Sequence, residues 1–219
     1  MLSSHDALAA AHAACACIAV LFTIPLALLA ARFKANSTPN GKSSSSWFRW
    51  HVVLNTLSVL LIILAFGLGM GAVATANAGT QYSGPDSDIH HKLGLSVFIL
   101  VLLQALLGAL AHFTRGRASD KHGTNGTGKH WSRKLHMVLG IATLGLLYWT
   151  VWEGMHIEWP SMSSTLTETP QSVQILFWII FLVPVLAYLI GAGTSVLCQL
   201  QPCSGHYHQA PLLQGNAKV

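Results

Sequence analysis

Five stretches of the chain run almost free of charge, at roughly 7–31, 51–76, 89–112, 135–155 and 173–197. At about 1.5 Å of rise per residue, each is long enough to cross a hydrocarbon core of about 30 Å as one helix. The segments between them are polar. NSTPNGKSSSS (36–46) and KHGTNGTGKH (121–130) are rich in Gly, Ser and Asn and read as flexible connectors. The pattern predicts an all-α, polytopic membrane protein: five transmembrane helices in one bundle over 1–200, then a cytosolic tail over 201–219 without fixed structure. Pro25 and Pro184 fall within the first and fifth runs, where they are expected to kink a helix without breaking it. The leading MLSSHD has no Lys or Arg, so the first run reads as a true helix and not as a removable signal.

Composition sharpens this picture. Of 219 residues, 52% are hydrophobic and only 9% charged, against about a quarter charged in soluble domains. The basic residues cluster in two loops: Arg32, Lys34, Lys42 and Arg49 in the first, and Arg115, Arg117, Lys121, Lys129, Arg133 and Lys134 in the third. Loops 77–88 and 156–172 have no Lys or Arg. The positive-inside rule then predicts an extracytoplasmic N-terminus and a cytosolic C-terminus. The net charge of +5 is a topology signal, and nucleic acid is not an expected partner. No Walker A loop or dinucleotide fingerprint occurs, and no soluble segment is large enough for a flavin or nicotinamide. Cys15 and Cys17 are expected to pack as apolar residues, whereas Cys198 and Cys203, at the cytosolic end of the last helix, are candidates for lipidation.

The candidate chemistry lies in the histidines, of which there are 12. His12, His51, His90 with His91, and His136 each lie near the start of one of the first four helices. In an up-down bundle, helices one and three begin on one side of the membrane and helices two and four on the other. His12 and His90/His91 therefore share one end, and His51 and His136 the other. His136 is followed four residues on by Gly140, in HMVLG, and His90 by Gly94, in HHKLG. Residues i and i+4 share a helix face, so each glycine opens a notch beside its imidazole, as a coordinated flat macrocycle would require. His91 has Leu95 at that spacing and points about 100° away. His90 is thus the expected ligand and His91 its interfacial neighbour.

Two imidazole pairs from different helices, at two depths, suit haem iron bound axially on both sides, which favours electron transfer. Zinc or copper would want three or four ligands in one cluster. Asn55 and Gln104 are expected to bond a neighbouring helix backbone or a group beside the cofactor. Tyr148, Trp149 and Trp152 read as an aromatic belt. His112 and His156 read as interfacial, and His5, His122, His130, His206 and His208 as solvated.

The segments HAACACIAVLFTIPLALLAARF, WFRWHVVLN, HHKLGLSVFILVLLQ and RKLHMVLG, in that order, resemble the patterns of the cytochrome b561 family. The resemblance covers roughly residues 12 to 197. It looks closest to the five-helix membrane part of versions that carry an extracellular DOMON domain, which is not expected here with six residues ahead of the first run. Asn55 stands where the family has Gln, and His112-Phe113 where it often has Arg-Pro. The resemblance implies two haem b groups, one on His12 and His90 and one on His51 and His136. It further implies electrons passing from a cytosolic donor such as ascorbate to monodehydroascorbate or a ferric chelate on the other side. A redox partner protein could replace either small molecule, and a homodimer is compatible with the pattern. Two other classes stay open at this stage: a cofactor-free scaffold or assembly protein, and a metal transporter using His12, His90 and His156.

Overall fold

The computed structural model describes residues 3–34, 46–77, 82–83, 87–117, 127–162 and 168–200. Among these the only regular structure is helical: α1 (Ser4–Cys17), a π-helical stretch (Ile18–Thr23), α2 (Ile24–Lys34), α3 (Ser46–Thr75), α4 (Ile89–Arg117), α5 (Thr127–Met162) and α6 (Gln171–Leu200). Five spans are long and apolar enough to cross a membrane: Ser4–Phe33, Trp47–Thr75, Ile89–Phe113, Trp131–Ile157 and Gln171–Gly191. The five-helix expectation is therefore met. The tail 201–219 lies outside the described residues, as do His122, His206 and His208.

The helices outrun the apolar stretches that announce them. α5 begins at Thr127, inside the segment read as a connector. A helix satisfies its own backbone hydrogen bonds, so it can continue past the hydrocarbon wherever no residue forbids it. Local sequence sets the ends. The Ser3 hydroxyl accepts the amide of Asp6 at 3.1 Å while the Asp6 carboxylate accepts the amide of Ser3 at 3.2 Å, a capping box for α1. Asp88 caps α4, its carboxylate accepting the amide of His91 at 2.8 Å. Asn77, with φ of 52°, supplies the left-handed turn that follows α3.

Pro25 explains the π-helical stretch ahead of it. Proline cannot donate its amide, and its ring crowds the carbonyl four residues back. Widening the turn relieves that crowding. The amide of Ile24 reaches back five residues to the carbonyl of Ala19, which also accepts from Thr23 Oγ1 at 3.1 Å. Pro184 is carried inside α6.

The first span lies along α3, α4 lies along α5, and α6 packs against α2. Where the two pairs meet, Val20, Leu21, Ile62, Val97, Val101, Leu147, Val151 and Phe177 form the buried centre. The opposite faces are apolar and bare: Leu106 is 67% exposed and Ile190 64%. In water such faces would drive association; here they are the surface presented to lipid. Tyr148 corrects the expected aromatic belt. It is buried in the core, edge-on to Phe181 at 4.6 Å, while Trp149 is the exposed member and donates to Glu153 at 2.7 Å.

Candidate functional site

α1 and α3 run antiparallel, and histidines mark their register. His5 Nδ1 meets the carbonyl of Ala72 at 3.0 Å, and His12 Nδ1 that of Ala65 at 2.7 Å. Seven residues forward on one helix is seven back on the other. Further along, His51 Nδ1 meets the carbonyl of Ala27 at 3.1 Å. In the second hairpin, His90 Nδ1 meets the carbonyl of Thr150 at 3.0 Å. A carbonyl oxygen can only accept, so each of these Nδ1 atoms carries a proton, which in a neutral imidazole leaves Nε2 as the acceptor nitrogen.

A helical carbonyl already accepts the amide four residues on. Its second lone pair is reachable from the side only where the residue at that position is small. The structure supplies glycine there. A Cβ on Gly69, four after Ala65, would lie 2.9 Å from His12 Nδ1. A Cβ on Gly154, four after Thr150, would lie 2.8 Å from His90 Cε1. A Cβ on Gly108 would lie 3.1 Å from His136 Cε1. The glycines that seat these imidazoles are thus on the facing helix, not four residues along the histidine's own helix.

The two glycines expected from sequence take different places. A Cβ on Gly94 would meet nothing within 4 Å, and Gly94 lines a cavity. A Cβ on Gly140 would lie 2.6 Å from Gln104 Nε2, so the notch there holds the glutamine side chain. Gln104 donates to the backbone carbonyl of His136 at 2.7 Å, a bond to a neighbouring helix. Asn55 instead bonds within its own helix, to the carbonyl of His51 at 2.7 Å.

His12 and His90 come together. Their ring centroids are 6.0 Å apart with the planes at 86°. They border a cavity of about 430 Å³ lined mostly by apolar and small side chains, among them Ala13, Ala16, Phe66 and Phe98. Phe66 and Phe98 stack at 4.2 Å and form one wall. Two imidazoles holding one metal from opposite sides, with about 2.0 Å per metal–nitrogen bond and about 1.1 Å from ring centre to nitrogen, would have centroids about 6.2 Å apart. The 6.0 Å separation of the His12 and His90 centroids is of that size, and two imidazole donors are a set that haem iron accepts. At the other end His51 rests on the carbonyl of Ala27, and the ring of His136 lies beside Gly108. Phe48 stacks on His112 at 4.7 Å there, joining the start of α3 to the end of α4.

His91, Tyr82 and His5 also lie at the His12 end. His91 Nδ1 pairs with the Asp88 carboxylate at 2.6 Å. Tyr82 donates to Met70 Sδ at 2.7 Å, and burial pushes its phenol pKa up. His5, expected to be solvated, is half-buried and lines the cavity; the repeat of His5 and His12 two turns apart on one helix face was the signal for it. His156 turns away, exposed, with Nδ1 on the carbonyl of Trp152 at 2.8 Å. Among the described residues no three His, Cys, Asp or Glu side chains gather as a metal cluster.

Fold and site together define a five-span helical membrane protein in which His12 and His90 lie side by side at one end of the bundle and His51 and His136 lie at the other. No protein-family model, no curated protein and no solved structure matches the chain.

Proposed function

We propose that this protein is a dihaem b-type cytochrome of the b561 kind that carries single electrons across a membrane. His12 and His90 would hold one haem iron, and His51 and His136 the other. The observation that carries this reading is the pair of imidazoles 6.0 Å apart across the cavity, each with Nδ1 committed to a carbonyl. Histidines that ligate metals characteristically donate their other ring nitrogen to a carbonyl or carboxylate, which fixes the tautomer and makes the ligand more basic. Haem held by these histidines would supply one-electron transfer.

The chain's own residues then have defined work. Ala65 and Thr150 orient the ligand rings, while Gly69 and Gly154 let the rings approach. Phe66 and Phe98 keep water from the cavity, and Gly94 leaves it open to a flat group. With the N-terminus extracytoplasmic, as the loop charges favour, the His51 end faces the cytosol. Exposed Arg49, Arg133 and Lys134 lie at that end and would draw an anionic donor such as ascorbate. The acceptor at the His12 end would be monodehydroascorbate or a ferric chelate. A metal transporter would want His156 beside His12 and His90, and its ring is engaged elsewhere.

The test is the reduced-minus-oxidised absorbance of the purified protein. The expected result is b-type haem bands that develop on adding ascorbate. A flat difference spectrum with dithionite overturns the proposal and leaves a cofactor-free scaffold.

A further inference from the structure

Three of the four paired histidines have Nδ1 on a backbone carbonyl of the facing helix: His12, His51 and His90. His136 is the exception. Its Nδ1 is buried and has no hydrogen-bond partner. One other side-chain atom among the described residues of this hairpin is orphaned in the same way, Gln104 Oε1. The two residues are already joined, since Gln104 Nε2 donates to the carbonyl of His136 at 2.7 Å. That bond fixes which end of the amide is which: turning the amide over would set two acceptors against each other.

The hairpin register places Gln104 beside His136. α4 and α5 are antiparallel, and His90 faces Thr150 with Gly154 four residues on. Read in the opposite direction, His136 faces Gln104 with Gly108 four residues on. The two imidazoles occupy equivalent places on a pseudo-twofold pair of helices, each beside a glycine of the other helix. Thr150 contributes its backbone carbonyl to His90, and Gln104 stands where Thr150 stands. Gly140 has no Cβ to block the amide, which passes where that Cβ would be.

We infer that Gln104 is the positioning residue for His136: its Nε2–H already holds the backbone carbonyl, and its orphaned Oε1 is the acceptor that the orphaned Nδ1–H takes when the site closes on its ligand. An orphaned buried donor and an orphaned buried acceptor each carry a desolvation cost that their pairing removes. This two-point grip gives His136 the tautomer its three counterparts receive from the backbone, with the lone pair on Nε2. This deepens the proposed function, since it assigns the partner that fixes a ligand. Its hydrogen-bond content stands on its own.

The experiment uses the full chain in detergent, labelled with ¹⁵N-histidine and reduced with dithionite. Wild-type protein should show a protected His136 Nδ1–H resonance. Gln104→Leu should displace or abolish it while those of His12, His51 and His90 stay put, and Gln104→Glu, which keeps an acceptor oxygen, should retain it. Should Gln104→Leu fail to accumulate, Gly140→Ala carries the same test by pushing the amide aside. Haem transfer to apomyoglobin gives a second reading: one of the two haems should leave Gln104→Leu roughly 10- to 100-fold faster, the usual cost of losing a ligand's outer partner. A His136 resonance unchanged in Gln104→Leu or Gly140→Ala overturns the inference. Absence of haem bands together with the expected resonances overturns the proposed function and leaves the grip intact.

Discussion

At the scale of single residues, the account turns on what each imidazole does with its two nitrogens. Gly154 is the most exacting of the glycines that face an imidazole. An added methyl would sit 2.8 Å from the ring of His90, within a helix that cannot yield easily. Gly154→Ala should therefore unseat His90 and remove the haem of that end, measured as loss of about half the haemochromogen absorbance. Gly94 offers the converse test. It faces open space, so Gly94→Phe should leave the folded bundle intact by circular dichroism while displacing haem from the cavity. His91→Ala should keep both haems, because the His91 imidazole is paired with Asp88. Asp88→Ala removes a helix cap and should cost about 1 kcal/mol of stability.

The identity of these positions was only partly legible in the sequence. His12, His51, His90 and His136 stand out because imidazoles are costly at the edge of an apolar helix. The glycines that seat them do not. Gly69, Gly108 and Gly154 lie on a different helix from the histidine they serve, and the register between helices is not written in local spacing. Gly140 looked like a notch for a macrocycle and is filled by Gln104, a side chain from across the hairpin. His5 read as solvated, yet its ring bonds Ala72 beside the cavity.

At the scale of elements, the five spans were readable because span length and apolarity are local properties. The distortion in the first span was foreshadowed by Pro25 as a kink, but its form as a π-helical stretch required the packing partner. Thr23 and Ser58 hydroxyls meet at 2.6 Å between the distorted turn and α3, both buried. Polar pairs between membrane helices are worth about 0.6 kcal/mol on average. A double-mutant cycle of Thr23→Val and Ser58→Ala should return a coupling of about that size from unfolding in mixed micelles. A coupling of zero would mean that the π-helical turn is held by Pro25 alone. Tyr148 shows the limit of reading an element by its composition: Tyr148, Trp149 and Trp152 share an aromatic run, and only packing against Phe177 and Phe181 separates the buried tyrosine from its exposed neighbour.

At the scale of the whole molecule, the bundle is two antiparallel hairpins that meet along an apolar seam, with imidazoles at either end. A charge-free middle and histidine-bearing ends make sense if electrons enter at one membrane face and leave at the other. The loop charges favour the His51 end as cytosolic, so in cells whose plasma membrane alone is permeabilised, a cytosolic protease should remove an epitope at the C-terminus and spare one at the N-terminus. The reverse pattern would exchange the places of donor and acceptor and leave the haem sites as they are.

The measurement that bears most directly on the central claim is haem per chain in purified protein, counted for wild type, His90→Ala, His136→Ala and the double variant. Two haems should fall to one in each single variant and to none in the double. Retention of the wild-type count in His90→Ala or His136→Ala would contradict the clamp, and with it the account of electron passage through this bundle.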